Sequence, residues 1–108
     1  MLQIRAIIRP EKAVEVMKAL LENGFPAVTK SQVYGRGKQR GLKVGNITYD
    51  ELAKTSLMIV VNDADKSIVV ETILNAARTQ PKGQFGDGKI FIIPVLEAWT
   101  ISNGKKEL

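Results

Sequence analysis

Two glycine-rich stretches hold most of the side chains in this sequence that are suited to chemistry. Gly35-Arg36-Gly37-Lys38-Gln39-Arg40-Gly41 interleaves glycines with cations and one amide. Glycine lets backbone N–H groups approach a ligand closely, and successive N–H groups form anion-binding nests. Lysine and arginine add charge, and Gln39 offers a carbonyl oxygen to a hard cation. The same composition also describes a solvated basic loop. Gly86-Asp87-Gly88-Lys89 stands directly before an apolar run. Its amides and Lys89 suit phosphate oxygens, although these four residues equally make an ordinary Asp-Gly turn. Neither stretch has the G-x-x-x-x-G-K-[ST] spacing of a Walker A loop. Lys54 precedes another apolar run and reads either as a surface lysine or as the partner of a carboxylate.

What is absent narrows the chemistry further. The chain has no cysteine and no histidine. Disulfides, thiolate metal sites, the usual general base and any Ser-His or Cys-His pair are therefore excluded. The 11 carboxylates show no pairing suited to acid–base work or to a calcium loop. An enzyme is not expected. The 16 lysines and arginines leave a formal charge of +5, which favours anionic partners. No leader-like segment is expected at the start, and no apolar run approaches the roughly 18 residues that span a bilayer. The expectation is a cytoplasmic protein with no membrane insertion.

The elements that must position these residues follow from periodicity. Leu2, Ile4, Ala6 and Ile8 alternate with Gln3, Arg5 and Arg9, which predicts a strand with one buried face. Pro10 breaks the ladder and suits the first turn of a helix. From Glu11 the period becomes helical: Glu11, Lys12, Glu15, Lys18 and Glu22 lie opposite Ala13, Val16, Met17 and Leu20, and Asn23-Gly24 ends the helix. Phe25 to Tyr34 reads as a second strand and Leu57 to Val61 as a central third. Asp63 or Asp65 caps a helix to about Arg78, with Val69, Ile73, Ala76 and Ala77 inward. Ile90 to Ile93 is a fourth strand, and Pro94 suggests that it soon reaches an edge or a bulge. This order predicts one α+β domain over residues 1–108, a ferredoxin-like split βαβ (βαββαβ) with four antiparallel strands and two helices on one face. The bare face carries apolar residues such as Ile7, which suggests cover by other subunits. Two connections stand out. Residues 36–54 exceed the roughly 12–15 residues usual for structureless loops, and residues 80–89 form a shorter Gly/Pro/Lys loop.

Taken together, Arg5-Ala6-Ile7-Ile8-Arg9-Pro10, Gly35 to Gly41, Leu52-Ala53-Lys54 and Gly86-Asp87-Gly88-Lys89-Ile90-Phe91 resemble the PII nitrogen-regulatory family of GlnB/GlnK-like signal proteins. The resemblance covers nearly the whole chain. The shorter loop, with Val44-Gly45-Asn46-Ile47-Thr48-Tyr49-Asp50-Glu51, is similar to the nitrogenase-associated NifI branch. The resemblance implies a homotrimer, or an assembly with a sister subunit, holding ATP or ADP in clefts between subunits. Ile7, Thr29, Gly37, Lys38, Gln39 and Val60 would line each cleft, with Gly86, Asp87, Gly88 and Lys89 at the phosphates. Mg²⁺ would bridge ATP and 2-oxoglutarate alongside Gln39. Arg40, Gly41 and Gly86 would stand near the keto acid, and Lys54 would pair with its distal carboxylate. Leu42, Lys43, Val44 and Tyr49 in the long loop would meet the target: nitrogenase, or another protein of nitrogen metabolism.

Three departures from the family pattern stand in this sequence. Thr100 and Ser102 occupy the places of two phosphate-holding arginines, with Lys105 and Lys106 close by. Gln80-Pro81-Lys82 is an insertion ahead of Gly86, and Tyr49 does not align with the tyrosine that is uridylylated in some relatives, so that modification is not expected.

Two other classes share the fold plan. An RNA-recognition module needs aromatics on its central strands, but the aromatic fraction is 6% and no RNP1-like run is present, so no nucleic acid is expected. An acylphosphatase-like hydrolase needs a phosphate cradle between the first strand and first helix. Here Arg9-Pro10-Glu11 stands there, and Pro10 has no N–H to donate.

Overall fold

The computed structural model describes residues 1–36, 42–44, 47–49 and 51–108. The chain opens with β1 (Leu2–Ile8), a 3-10 turn (Pro10–Lys12) and α1 (Ala13–Glu22). β2 (Thr29–Gly35), β3 (Leu42–Val44), β4 (Ile47–Tyr49) and β5 (Leu52–Val61) follow. A second 3-10 turn (Asp63–Asp65) leads into α2 (Lys66–Ala77), then β6 (Gly88–Pro94), β7 (Trp99–Thr100) and β8 (Lys105–Lys106). The main sheet runs β2-β5-β1-β6, antiparallel throughout. That is the expected split βαβ plan. β6 lies at an edge, one of the two positions that Pro94 suggested.

Alternation in β1 decides which face is covered. Ile4, Ala6 and Ile8 are buried, and they pair with Ile59, Leu57 and Thr55 on β5. On the other side they face Ile92, Ile90 and Gly88. Val16 and Leu20 of α1 and Val69 and Ile73 of α2 close the core against this row. Burying each such side chain stabilises the fold by roughly 1.5–3 kcal/mol. Met17 and Ala76, expected to point inward, pack against the core while only partly buried. Thr72 is buried too, its hydroxyl donating to the Ile68 carbonyl at 2.6 Å.

Helix α1 ends as expected. Gly24 takes φ +90°, and the Phe25 amide reaches back to the Leu20 carbonyl at 2.9 Å. The expected aspartate cap on α2 is not formed. Neither Asp63 nor Asp65 makes a side-chain cap, and Asp63 Oδ1 instead accepts the N-terminal amine of Met1 at 2.7 Å.

Two strands differ from expectation. β2 begins at Thr29 rather than Phe25: Pro26 lacks the N–H a ladder needs, and Phe25 and Val28 cover the end of the core instead. β5 begins five residues before the apolar run, because Leu52 to Ser56 pair with Gly35 to Ser31. Ladder hydrogen bonds hold that stretch, so hydropathy does not mark it. The long connection between β2 and β5 contains a further pair, β3 with β4, in which Leu42 stands opposite Tyr49 and Val44 opposite Ile47.

Candidate functional site

Antiparallel pairing puts directly opposed residues on one face. Ile7 stands opposite Ser56 on one side and Lys89 on the other. Gln3 stands opposite Val60, and Thr29 opposite Met58. Ile7, Thr29, Val60 and Lys89 therefore share the face turned away from the helices. They do not meet at one point. Val60 is four residues along β5 from the Ile7 row, a distance of roughly 13 Å.

At the Ile7 end the start of β5 meets the glycine turn before β6. Lys54 lies opposite Val33, just beyond the last β1–β5 pair, and its Nζ donates to the Gly86 carbonyl at 2.6 Å. The base of the long connection and the loop before β6 are thus tied within one chain. Burial and the neighbouring Arg9 cation push the Lys54 ammonium below its ordinary pKa, and the carboxylates of Glu11 and Asp87 oppose this only in part. A desolvated lysine beside an arginine is a place where an added anion is stabilised.

The turn itself is built around glycine and one carboxylate. Gly86 and Gly88 have φ of +93° and +117°. A Cβ on Gly88 would lie 1.8 Å from the Ile7 carbonyl oxygen, so no side chain fits there. Asp87 accepts from Arg9 Nε at 3.0 Å and from the Thr79 hydroxyl at 2.5 Å. It also accepts from the amides of Thr79 at 3.0 Å and Gln84 at 2.8 Å. Arg9 Nη2 donates further to the Phe85 carbonyl at 2.9 Å. Burial works against ionising Asp87, but these hydrogen bonds outweigh it and hold the carboxyl well below the usual range. Periodicity and motif reading did not find Arg9, Thr79 or Gln84 as organisers of this turn. Arg9 is 78 residues from its carboxylate, and no local pattern reports such a pairing.

Gly37, Lys38, Gln39, Arg40 and Gly41 lie outside the described residues, as does the metal contact expected of Gln39. For Leu42, Lys43, Val44 and Tyr49 the structure describes backbone pairing. Gln80-Pro81-Lys82 lies in a turn closed by the Gly83 amide on the Thr79 carbonyl at 2.6 Å, ahead of Gln84 to Lys89. Thr100 faces Lys105 across the β7–β8 pair, and Ser102 lies in the intervening turn. Among the described residues, no cluster of three or more acidic side chains is arranged to hold a metal. Nor is any helix among them long and apolar enough to cross a membrane.

A cavity of about 750 Å³ lies behind the same turn, between Ile73, Leu74 and Ala77 of α2 and Ile90 and Ile92 of β6. Its α2 and β6 walls are mainly apolar, Arg78, Lys82, Asp87 and Lys89 line its turn side, and Lys54 is not among the lining residues. The hydrolase alternative finds no support in this geometry, because Arg9, in its cradle position, is committed to Asp87 and Phe85. Phe91 is the one aromatic among the described residues of the open sheet face, too little for base stacking.

Comparison with known proteins gives one answer. The family model described as nitrogen regulatory protein P-II matches residues 1–105. A nitrogen fixation nifHD region GlnB-like protein 1 of Methanothermobacter marburgensis is 52% identical over 108 residues, covering 100% of both chains. A protein of the same name from Methanococcus maripaludis is 54% identical over 101 residues, 94% of this chain and 93% of its own. Among solved structures, Arabidopsis thaliana PII bound to citrate superposes with a TM-score of 0.80 at 34% identity, covering 98% of this chain and 84% of that one.

Proposed function

The chain belongs to the nitrogen regulatory protein P-II family, and on that premise we propose that it binds ATP or ADP in clefts between subunits of a trimer. In this reading 2-oxoglutarate joins Mg²⁺-ATP, and the loaded state controls nitrogenase, or another protein of nitrogen metabolism, through the segment between β2 and β5. The protein is a cytoplasmic, single-domain regulator rather than a catalyst. The nif-region names of the two archaeal relatives favour nitrogenase as the target. The citrate bound by the plant relative favours a site for carboxylate-rich anions.

One observation carries the reading: the 2.6 Å contact between Lys54 Nζ and the Gly86 carbonyl, beside Arg9, at a glycine turn that admits no side chain. Lys89 and the turn's backbone suit polyphosphate oxygens, and Lys54 suits a carboxylate. Bound Mg²⁺ would supply a bridge between nucleotide and keto acid. A hard cation of this kind is commonly held through substrate oxygens, so a chain without histidine or cysteine is no obstacle. Val60 lies roughly 13 Å along the strands from Lys89's row, and Thr29 lies on β2, at the opposite edge of the sheet from β6. That separation fits a cleft to which one subunit gives the turn and its neighbour the far end of the sheet face.

Calorimetry tests this directly. The keto acid is expected to bind only after Mg²⁺-ATP, and by linkage it should tighten ATP by the same factor. Equal uptake of 2-oxoglutarate with and without nucleotide would contradict the proposal.

A further inference from the structure

We propose that Thr79 and Asp87, joined by Arg9, form a positioning clamp that holds the Gly86–Lys89 turn ready for its anion without touching that anion. The inference rests on the ligand reading above and assigns these residues a role within it.

The carboxylate of Asp87 receives four donors. Oδ1 takes the Thr79 hydroxyl and Arg9 Nε, while Oδ2 takes the amides of Thr79 and Gln84. An ionised carboxylate offers about four lone-pair sites, so its accepting capacity is used within the chain. A negative group so placed is also a poor neighbour for phosphate oxygens. Asp87 therefore serves the site through what it holds.

What it holds is a turn with little apolar burial, whose other side-chain anchor is Lys54 on the Gly86 carbonyl. Gln84, Phe85 and Gly86 are exposed, and the Phe85 side chain is 85% accessible. A loop with so little apolar burial fluctuates unless polar contacts order it. The clamp provides them from three directions. Thr79 stands two residues past the end of α2, Arg9 follows β1, and Gln84 opens the turn. Arg9 also donates to the Phe85 carbonyl and neutralises the charge that would otherwise repel a phosphate. Order supplied before binding lowers the entropy lost on binding.

The test combines two readouts on the full chain: amide hydrogen exchange without ligand, and calorimetry with Mg²⁺-ATP. Thr79→Val removes the hydroxyl donor at nearly constant volume, and Thr79→Ser restores it. With Val, exchange at the Gln84 amide should rise and Mg²⁺-ATP affinity should fall, each by about tenfold, as for one charge-assisted hydrogen bond. With Ser, both should return close to wild type. Asp87→Asn, which keeps the side-chain size, should weaken binding in the same direction and serves if Thr79→Val does not fold. Faster exchange with unchanged affinity would show a merely structural role and overturn the inference. Unchanged exchange would remove the clamp altogether. If the wild type does not bind Mg²⁺-ATP, the ligand reading fails, and the clamp is then judged on exchange alone.

Discussion

Gly88 shows how tightly a single residue constrains this site. Its positive φ and the Ile7 carbonyl oxygen, 1.8 Å from where a Cβ would lie, both exclude a side chain. Gly88→Ala should therefore destabilise the chain by at least about 1–3 kcal/mol, the usual scale of backbone strain. Thermal unfolding measures this, and Mg²⁺-ATP binding should fall with it. Asp87 makes a prediction about acid. Its carboxyl titrates below the ordinary aspartate value of about 3.9, so the ionised group stabilises the fold fully above that pH. The contribution is lost as pH falls below that value toward the folded-state pKa. Wild type should lose more thermal stability than Asp87→Asn between about pH 4 and pH 2.5, and equal losses would contradict the assignment.

The secondary-structure elements were legible where burial and period coincide. Alternation in β1 and the helical stripe of α1 both identified residues that are buried in the core, including Ile4, Ile8, Val16 and Leu20. Leu20 is fully buried, so Leu20→Ala should cost about 2–5 kcal/mol in denaturant unfolding, with ligand affinity preserved in the folded fraction. The first five residues of β5 were not legible. Leu52 to Ser56 are held by pairing with β2, and backbone pairing leaves no hydropathy signature. Thr72 was missed for a related reason, since a threonine that satisfies its own hydroxyl within the helix packs like an apolar residue.

For the whole molecule, the open sheet face is the feature with the largest consequence. Phe91 stands opposite Arg5 and Ile93 opposite Gln3, and they are 47% and 41% exposed. In the proposed trimer this face is covered by neighbouring subunits. Phe91→Glu should then shift the species seen by sedimentation from trimer towards monomer, and Mg²⁺-ATP binding should be lost with assembly. A Phe91→Glu chain that still sediments as a trimer would count against this face as the interface.

The sequence by itself determined the order of the four main-sheet strands and two helices, most of the inward residues and the two glycine-rich regions, because these follow from short-range periodicity and residue type. It also excluded histidine and cysteine chemistry outright. Only the tertiary structure decided that Lys54 meets Gly86 across 32 positions and that Arg9 reaches Asp87 across 78. It also decided that Asp87 spends its charge on the turn. Such contacts depend on which strands become neighbours in the sheet, and that is set by the packing of the whole chain rather than by any local stretch of it.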